Sequence, residues 1–398
     1  MKRLPYGRQE ILQSDINIVT RVLESDFITQ GPYVPLFEAA ITDYCGSRHA
    51  VAVNSATSAL HLACLALDVG PGDVVWTSPI TFVASANCAR LCGAAVDFVD
   101  VDPQTYNLCA QALEEKLRVA MRFGKPLPKV VIVVHFAGQS CEMRAIAALA
   151  DEFGFHVVED ASHAIGGRYM NQPIGKCIYS DITVFSFHPV KIITTGEGGV
   201  ATCNSDKLYE RMSLLRTHGV SRPALVSKSP DSLPTTEPWV YEQHELGLNY
   251  RLTDIQAALG VSQMTRLDEY VSRRRVLADQ YNDQLVGLNL TLPWQAEYGE
   301  SAYHLYPVLI GQKGESGQYR RAVYHHMIKQ GIGVNVHYIP VHTQPYYQQL
   351  GFKSGDFPEA EAYYSRTLTL PLFGSMTNDE QQRVVESLYI CLEGKKAA

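Results

Sequence analysis

Seven short apolar segments, separated by stretches with helical periodicity, dominate the first half of this chain. They lie at residues 50–53, 74–77, 95–99, 130–135, 156–159, 182–187 and 200–203. Alternating buried strands and helices are typical of a mostly parallel sheet flanked by helices. The sequence therefore predicts an α/β fold with a seven-stranded sheet. Such sheets bind ligands beyond the carboxyl ends of their strands, so polar residues at those ends are the first candidates for function.

The C-terminal third has a different pattern. A long helix beginning near Asp268 leads out of the sheet region, followed by a strand at 303–310, a helix at 318–330, a strand at 334–338 and a last helix capped by Thr377 and Glu380. We predict a large domain with an N-terminal arm at 1–265 and a smaller α+β domain at 266–398. The polar, proline-bearing stretch 221–245 is interpreted as a long loop within the large domain.

Composition excludes several classes of function. The net charge of −7, from 34 Lys and Arg against 41 Asp and Glu, leaves no basic footprint for nucleic acid. No apolar run approaches the roughly 18 residues of a membrane span, and the first residues show no apolar signal segment, so a cytoplasmic protein is expected. The nine cysteines are scattered singly, which favours reduced thiols, and no metal site is expected.

One lysine lies in an unusual setting. Lys191 ends the segment SFHPVK, directly after an apolar strand, and the glycine cluster GEGG follows at 196–199. A lysine in a turn is ordinarily a solvated charge. Here, however, Asp160 ends another predicted strand in the motif EDASHA, which brings a carboxylate to the same edge of the sheet.

A third motif, NSATSALHLA, supplies a helix start after the first strand. Ala56 and Thr57 begin this helix, where unpaired N–H groups and the positive end of the helix dipole bind phosphate. A phosphate-binding helix start, a buried acid and a lysine are the groups needed to hold pyridoxal 5′-phosphate (PLP). The lysine binds the cofactor covalently, and the acid keeps its ring nitrogen protonated.

Taken together, SFHPVK…GEGG, EDASHA and NSATSALHLA resemble the DegT/StrS nucleotide-sugar aminotransferases, which are fold-type I PLP enzymes. The resemblance extends from Tyr6 to the C-terminal helix. It implies PLP as the cofactor and a homodimer with shared active sites. A related sugar dehydratase has histidine in place of the lysine, so lysine at 191 favours transamination.

The resemblance also implies individual roles. Lys191 would carry the cofactor and move protons as general base and acid, Asp160 would face the ring nitrogen, and His163 would lie near the phenolic oxygen. Phosphate would be bound by Ala56, Thr57, Ser186 and, from the partner subunit, Asn249; Phe82 would stack on the ring. From the residues alone, core packing is the commoner role for a residue such as Phe82, Ser186 fits a polar strand end equally well, and His163 fits a structural hydrogen bond.

Substrate contacts are implied at three further places. Tyr6 and the loop residues Asp26, Phe27, Ile28 and Thr29 would border the substrate, although they also fit a packing role. His337 and Tyr338, in the motif VHYIP, and Asn249, from the LNYR element, complete the predicted set.

The whole-chain pattern is most similar to the family members that act in pseudaminic acid biosynthesis. Those enzymes use L-glutamate to aminate carbon 4 of a UDP-linked 4-keto-6-deoxy-N-acetylhexosamine. Amination at another carbon or of another keto-sugar nucleotide remains an alternative, because the motifs bind cofactor and barely discriminate between sugars. A non-catalytic PLP-binding regulator is a second alternative. A nicotinamide-dependent enzyme is disfavoured, because no GxGxxG follows the first strand.

Overall fold

The computed structural model describes residues 3–221, 239–312 and 317–393. The helices are α1 (Gln13–Leu23), α2 (Tyr33–Cys45), α3 (Ala56–Ala66), α4 (Ala84–Leu91), α5 (Ala110–Arg122), α6 (Met143–Phe153), α7 (Asp206–Arg216), α8 (Asp254–Met264), α9 (Leu267–Gln284), α10 (Gln318–Lys329), α11 (Pro345–Gln348), α12 (Pro358–Arg366) and α13 (Asn378–Glu393). The strands are β1 (His49–Val53), β2 (Val74–Thr77), β3 (Ala95–Phe98), β4 (Val130–Val134), β5 (His156–Asp160), β6 (Arg168–Tyr169), β7 (Gln172–Pro173), β8 (Ile182–Ser186), β9 (Gly199–Cys203), β10 (Val220–Ser221), β11 (Glu242–Gln243), β12 (Leu290–Thr291), β13 (Gly299–Glu300), β14 (Tyr306–Ile310) and β15 (Thr367–Leu370).

A seven-stranded sheet forms the centre of the molecule, in the order β1-β9-β8-β5-β4-β2-β3. Only β9 runs antiparallel to its neighbours, so six strands point their carboxyl ends to one edge. The predicted mostly parallel α/β sheet is confirmed, with each strand within one residue of its predicted ends. This common edge is where Asp160, Ser186 and the start of α3 meet.

Burial on both faces explains the continuous apolar runs of the central strands. In β4, Val130 and Ile132 pack in the core beneath α3 and α4, whereas Val131 and Val133 pack beneath α5 and α6. Successive side chains of a strand point to opposite faces, so a strand covered by helices on both sides needs apolar residues at every position.

The C-terminal part builds a second core around the three-stranded sheet β12-β14-β15 and the helices α9, α10 and α13. Leu4 from the N-terminal arm packs into this core. The capping box of the last helix is confirmed, since Thr377 and Glu380 exchange side chain to backbone hydrogen bonds. A division of the chain at residue 265 stays a prediction.

One strand prediction in this part was wrong, and another strand is shorter than predicted. Residues 334–338 form no strand; a single bridge joins Asn335 to Thr369, and the following side chains turn into a cavity instead of pairing in a ladder. The strand predicted at 303–310 begins only at Tyr306, because Tyr303 adopts a φ of 45°, which extended backbone cannot accommodate.

Of the 221–245 loop, residues 222–238 lie outside the described part of the chain. All nine cysteines are free thiols. Within the described residues, no helix combines the length and apolar character required to cross a bilayer.

Candidate active site

A cavity of about 920 Å³ opens at the carboxyl edge of the central sheet. Its size is within the range of pockets that hold a cofactor together with a small substrate. Most of the predicted site residues line it: Tyr6, Ala56, Thr57, Phe82, Asp160, His163, Ser186, Lys191, His337 and Tyr338. The fold thus brings residues from opposite ends of the chain to one place.

The start of α3 forms the anion-binding side of this cavity. Ser55 caps the helix, and its side chain accepts a hydrogen bond from the Ser58 N–H at 3.1 Å. The N–H groups of Ala56 and Thr57, the first two of the helix, have no acceptor within it. A Cβ atom at Gly199 would lie 2.5 Å from the Ala56 nitrogen, so glycine is required where β9 passes this helix start. The open N–H groups fit a phosphate.

Asp160 ends β5 and is buried, with both carboxylate oxygens held in place. Ser85 donates to Oδ2 at 2.6 Å, and the Ser162 N–H donates to Oδ1 at 3.1 Å. Because Ser85 donates to the carboxylate, it accepts from the Thr81 hydroxyl at 2.7 Å. The sequence analysis did not predict that Thr81 and Ser85 support Asp160. These two residues lie on either side of Phe82, and their i, i+4 spacing indicated that their side chains could contact each other.

Lys191 follows β8 in a tight turn, in which its N–H donates to the His188 carbonyl at 2.8 Å. Burial lowers the pKa of its amine from 10.5 to about 8, and the nearby Asp160 carboxylate partly opposes this shift. An amine must be neutral to attack the aldehyde of PLP. The environment of Lys191 therefore favours covalent attachment at neutral pH.

The rate at which PLP-free protein binds PLP covalently should report this pKa. We expect the rate to rise about 50-fold between about pH 6 and pH 8, because the neutral fraction of an amine with a pKa of about 8 rises by that factor, and then to level off. Stopped-flow absorbance after mixing with PLP measures it, with N-acetyl-lysine methylamide as the ordinary amine. A rate that keeps rising beyond about pH 9.5, as for the reference amine, would contradict the prediction.

Four aromatic and imidazole side chains form the opposite wall. Tyr338 contacts His163 through its hydroxyl, with 3.1 Å between Oη and Nε2. Next to it, Nδ1 of His337 lies 2.9 Å from the Thr369 hydroxyl, and the Tyr6 ring lies 5.6 Å from the His337 ring. Burial, reinforced by Lys191, lowers the pKa of His337 to about 3, so this ring is neutral.

Phe82 lies at the open side of the cavity with 60% of its surface exposed. Its ring centre is 6.4 Å from that of Tyr338. A core position is excluded by this exposure, and an exposed ring beside a polar cavity fits stacking on a planar ligand.

His304, which sequence reasoning did not select, also lines the cavity. Its ring centre lies 4.5 Å from that of His163, and its buried Nδ1 has no hydrogen-bond partner among the described residues. Burial, with His163 and Lys191 nearby, lowers the pKa of His304 well below its usual value. A sequence signal was absent, since nothing in the motif HLYP marks the histidine as facing a ligand.

The remaining predicted site residues lie elsewhere on the surface. Asp26, Phe27, Ile28, Thr29 and Asn249 are exposed and do not line this cavity within the described part of the chain. Their roles in substrate and phosphate binding stay predictions.

Lys191, the held carboxylate of Asp160 and the open N–H groups of α3 thus match the three attachment points of PLP. Residues 9–389 match the sequence profile of the DegT/DnrJ/EryC1/StrS aminotransferase family. The chain belongs to this family. The resemblance inferred from the motifs is confirmed, and so is the fold class of a fold-type I PLP enzyme.

Several individual proteins match nearly the whole chain. The spore coat polysaccharide biosynthesis protein SpsC of Bacillus subtilis is 39% identical, covering 98% of this chain and 97% of that protein. The UDP-4-amino-4,6-dideoxy-N-acetyl-beta-L-altrosamine transaminase of Campylobacter jejuni (serotype O:2) is 35% identical, covering 99% and 98%. The structure of Helicobacter pylori PseC, an aminotransferase of pseudaminic acid biosynthesis, superposes with a TM-score of 0.88 at 30% identity, covering 99% and 100%.

The protein is therefore a PLP-dependent sugar aminotransferase. Family membership indicates PLP as the cofactor, and the residues of the cavity fit the same cofactor. The relatives differ in the products their names describe, so the sugar itself is a separate question.

Proposed function

We propose that this enzyme transfers the amino group of L-glutamate to carbon 4 of a UDP-linked 4-keto-6-deoxy-N-acetylhexosamine, in pseudaminic acid biosynthesis. The observation that carries the proposal is the end-to-end similarity to the Campylobacter jejuni transaminase, combined with a cavity that retains the lysine and the acid. A cytoplasmic location belongs to the same proposal.

In this proposal, different residues of the cavity have different roles in transamination. PLP supplies an electron sink when bound. The amine of Lys191 would take a proton from the α-carbon of the amino donor as general base and would later return a proton as general acid. Asp160 would stabilise positive charge on the ring nitrogen, and the N–H groups of Ala56 and Thr57 would bind the phosphate.

A second candidate is amination of a different keto-sugar nucleotide. It is favoured by one observation, the 39% identity to SpsC, which is higher than the 35% identity to the Campylobacter jejuni transaminase. The reaction class is the same in both cases. Only the sugar or the aminated carbon differs.

Direct assay separates these candidates. With L-glutamate as donor, we expect the UDP-linked 4-keto-6-deoxy-N-acetylhexosamine to be aminated with a kcat/KM at least about 100-fold above that for UDP-linked 3-keto or dTDP-linked 4-keto sugars. Mass spectrometry and NMR of the product identify the aminated carbon. Preferential turnover of one of the other sugars would overturn the proposed substrate and leave the aminotransferase class intact.

We also propose that the enzyme is a homodimer with shared active sites. Large apolar side chains are exposed along the N-terminal segment: Ile11, Leu12, Ile16, Leu23, Phe27, Ile28 and Leu36. So many exposed large apolar side chains within one segment favour its burial against a partner.

The loop at 26–33 and the LNYR element belong to the same surface. Asp254, just after that element, accepts hydrogen bonds from the N–H groups of Gly31 and Tyr33, both at 2.8 Å. Its own N–H donates to the Ile28 carbonyl at 3.0 Å. A second copy covering this surface would bring Asn249 and the loop towards its own cavity.

Complementation tests whether Asn249 serves the partner's site. Asn249→Ala should weaken PLP binding roughly 10- to 100-fold, because a hydrogen bond to a charged phosphate is lost. If Asn249→Ala and Lys191→Ala chains are co-expressed, mixed dimers contain one intact site. We then expect about a quarter of wild-type activity at limiting PLP, from half of the dimers with one of two sites active. Activity no higher than in the separate variants would place Asn249 in its own subunit's site.

A further inference from the structure

His163 and Tyr338 form a hydrogen-bonded pair at the wall of the cavity. His163 follows β5, whereas Tyr338 comes from the extended segment before α11. Their rings are nearly parallel, with an interplanar angle of 20° and centres 6.1 Å apart, and 3.1 Å separates Nε2 of His163 from Oη of Tyr338. The direction of this hydrogen bond decides what Tyr338 offers to a ligand.

The other nitrogen of His163 settles that direction. The N–H of Ala137 donates to Nδ1 at 3.3 Å, so Nδ1 is an acceptor and carries no proton. Burial, with additional repulsion from Lys191, holds the pKa of His163 well below its usual value, so the ring is neutral. A neutral ring without a proton on Nδ1 carries it on Nε2. His163 therefore donates and the Tyr338 oxygen accepts.

The hydroxyl proton of Tyr338 is consequently free. Among the described residues, the hydroxyl has no other hydrogen-bond partner than His163, and Tyr338 lines the cavity. Burial, together with Asp160 and Tyr6 nearby, raises the pKa of Tyr338, so the hydroxyl stays protonated. A hydroxyl that faces the cavity with its proton unused can donate that proton to a ligand oxygen bound there.

We propose that Tyr338 donates a hydrogen bond to an oxygen of the bound ligand and that His163 is a positioning residue that acts through Tyr338. Two ligand oxygens share the required chemistry: the phenolic oxygen of PLP and a carbonyl or hydroxyl oxygen of the sugar. The inference rests on the aminotransferase activity and not on the identity of the sugar. It revises the expectation that His163 itself contacts the cofactor.

Three variants test the coupling. Tyr338→Phe removes the hydroxyl donor. His163→Asn keeps an acceptor for the Ala137 N–H, but its shorter side chain no longer reaches the Tyr338 hydroxyl. Each should lower kcat/KM for the UDP-linked 4-keto-6-deoxy-N-acetylhexosamine, or for whichever keto sugar the wild type aminates best, by about 10-fold. The double variant should be no worse than Tyr338→Phe alone, because His163 acts through the hydroxyl. Tyr346→Phe, which alters an exposed tyrosine, is the matched control.

His163→Gln serves as the conservative variant, since its amide N–H can still donate towards Tyr338. It should retain most of the wild-type kcat/KM. A loss as large as that of His163→Asn would contradict the donor role.

The absorbance of bound PLP, without any sugar, identifies the ligand oxygen. If that oxygen is phenolic, Tyr338→Phe and His163→Asn should both shift the apparent pKa of the visible band by about one unit in the same direction. If it belongs to the sugar, the band should stay unchanged in both variants while kcat/KM falls equally. The proposal is overturned if His163→Asn alone shifts the band, if the two losses multiply in the double variant, or if Tyr338→Phe changes neither quantity.

Discussion

Lys191→Ala should lower the rate of amino transfer from L-glutamate by about 10⁴-fold, the upper range for removal of a general acid and base. We expect the variant to lose both the covalent attachment of PLP and the amine proposed to move the proton. It keeps the open helix start of α3 and the carboxylate of Asp160, so non-covalent PLP binding should persist. Single-turnover bleaching of the bound cofactor after adding glutamate measures the rate.

Two controls make this result specific to the amine. Lys353→Ala removes an exposed lysine and should leave the rate unchanged. Added methylamine, which fits the space left by the side chain, should restore part of the activity of Lys191→Ala. If that variant reacts with glutamate nearly as fast as the wild type, Lys191 is not the proton-transferring residue.

Asp160→Asn should lower the same rate roughly 10²- to 10³-fold. An opposite charge within hydrogen-bond distance shifts a pKa by about 1–3 units, so its loss reduces the protonated fraction of the ring nitrogen by up to about that many powers of ten. Asparagine has nearly the same shape, and its amide oxygen can still accept from Ser85. The fold and the cavity should therefore be preserved.

The matched control for this substitution is Asp151→Asn, which alters an exposed carboxylate on α6. Single-turnover rates at saturating PLP separate a chemical effect from weaker cofactor binding. A variant that reacts at close to the wild-type rate would show that the ring nitrogen does not depend on this carboxylate.

Local sequence patterns were sufficient to predict most of the part of the chain that forms the seven-stranded sheet. The central strands consist largely of apolar residues, so their limits could be predicted to within one residue, and the glycine, serine and proline residues around them mark the turns. Local patterns also predicted that Lys191, Asp160 and the start of α3 lie at the carboxyl edge of the sheet. Each is set by a motif whose residues are neighbours in the chain, and parallel strands necessarily bring such motifs to one edge.

The structure of the opposite wall of the cavity, which includes His337 and Tyr338, was harder to predict from the sequence. The segment at 334–338 has the composition of a strand, but His337 and Tyr338 turn towards the cavity, held by Thr369 and His163. These partners lie 32 and 175 positions away in the chain. No local pattern encodes a contact over such a separation, because it depends on how the two cores dock.

The sequence by itself therefore determined the sheet, the cofactor and the position of Lys191 at the carboxyl edge of the sheet, since these follow from short motifs and the period of strands. Only the tertiary structure decided which side chains of the site donate hydrogen bonds and which accept them. Nδ1 of His163 accepts from the Ala137 N–H, and Ser85 donates to Asp160 from a different element of the fold. Hydrogen-bond direction is a property of the partner's position in space, and residue types alone do not specify it.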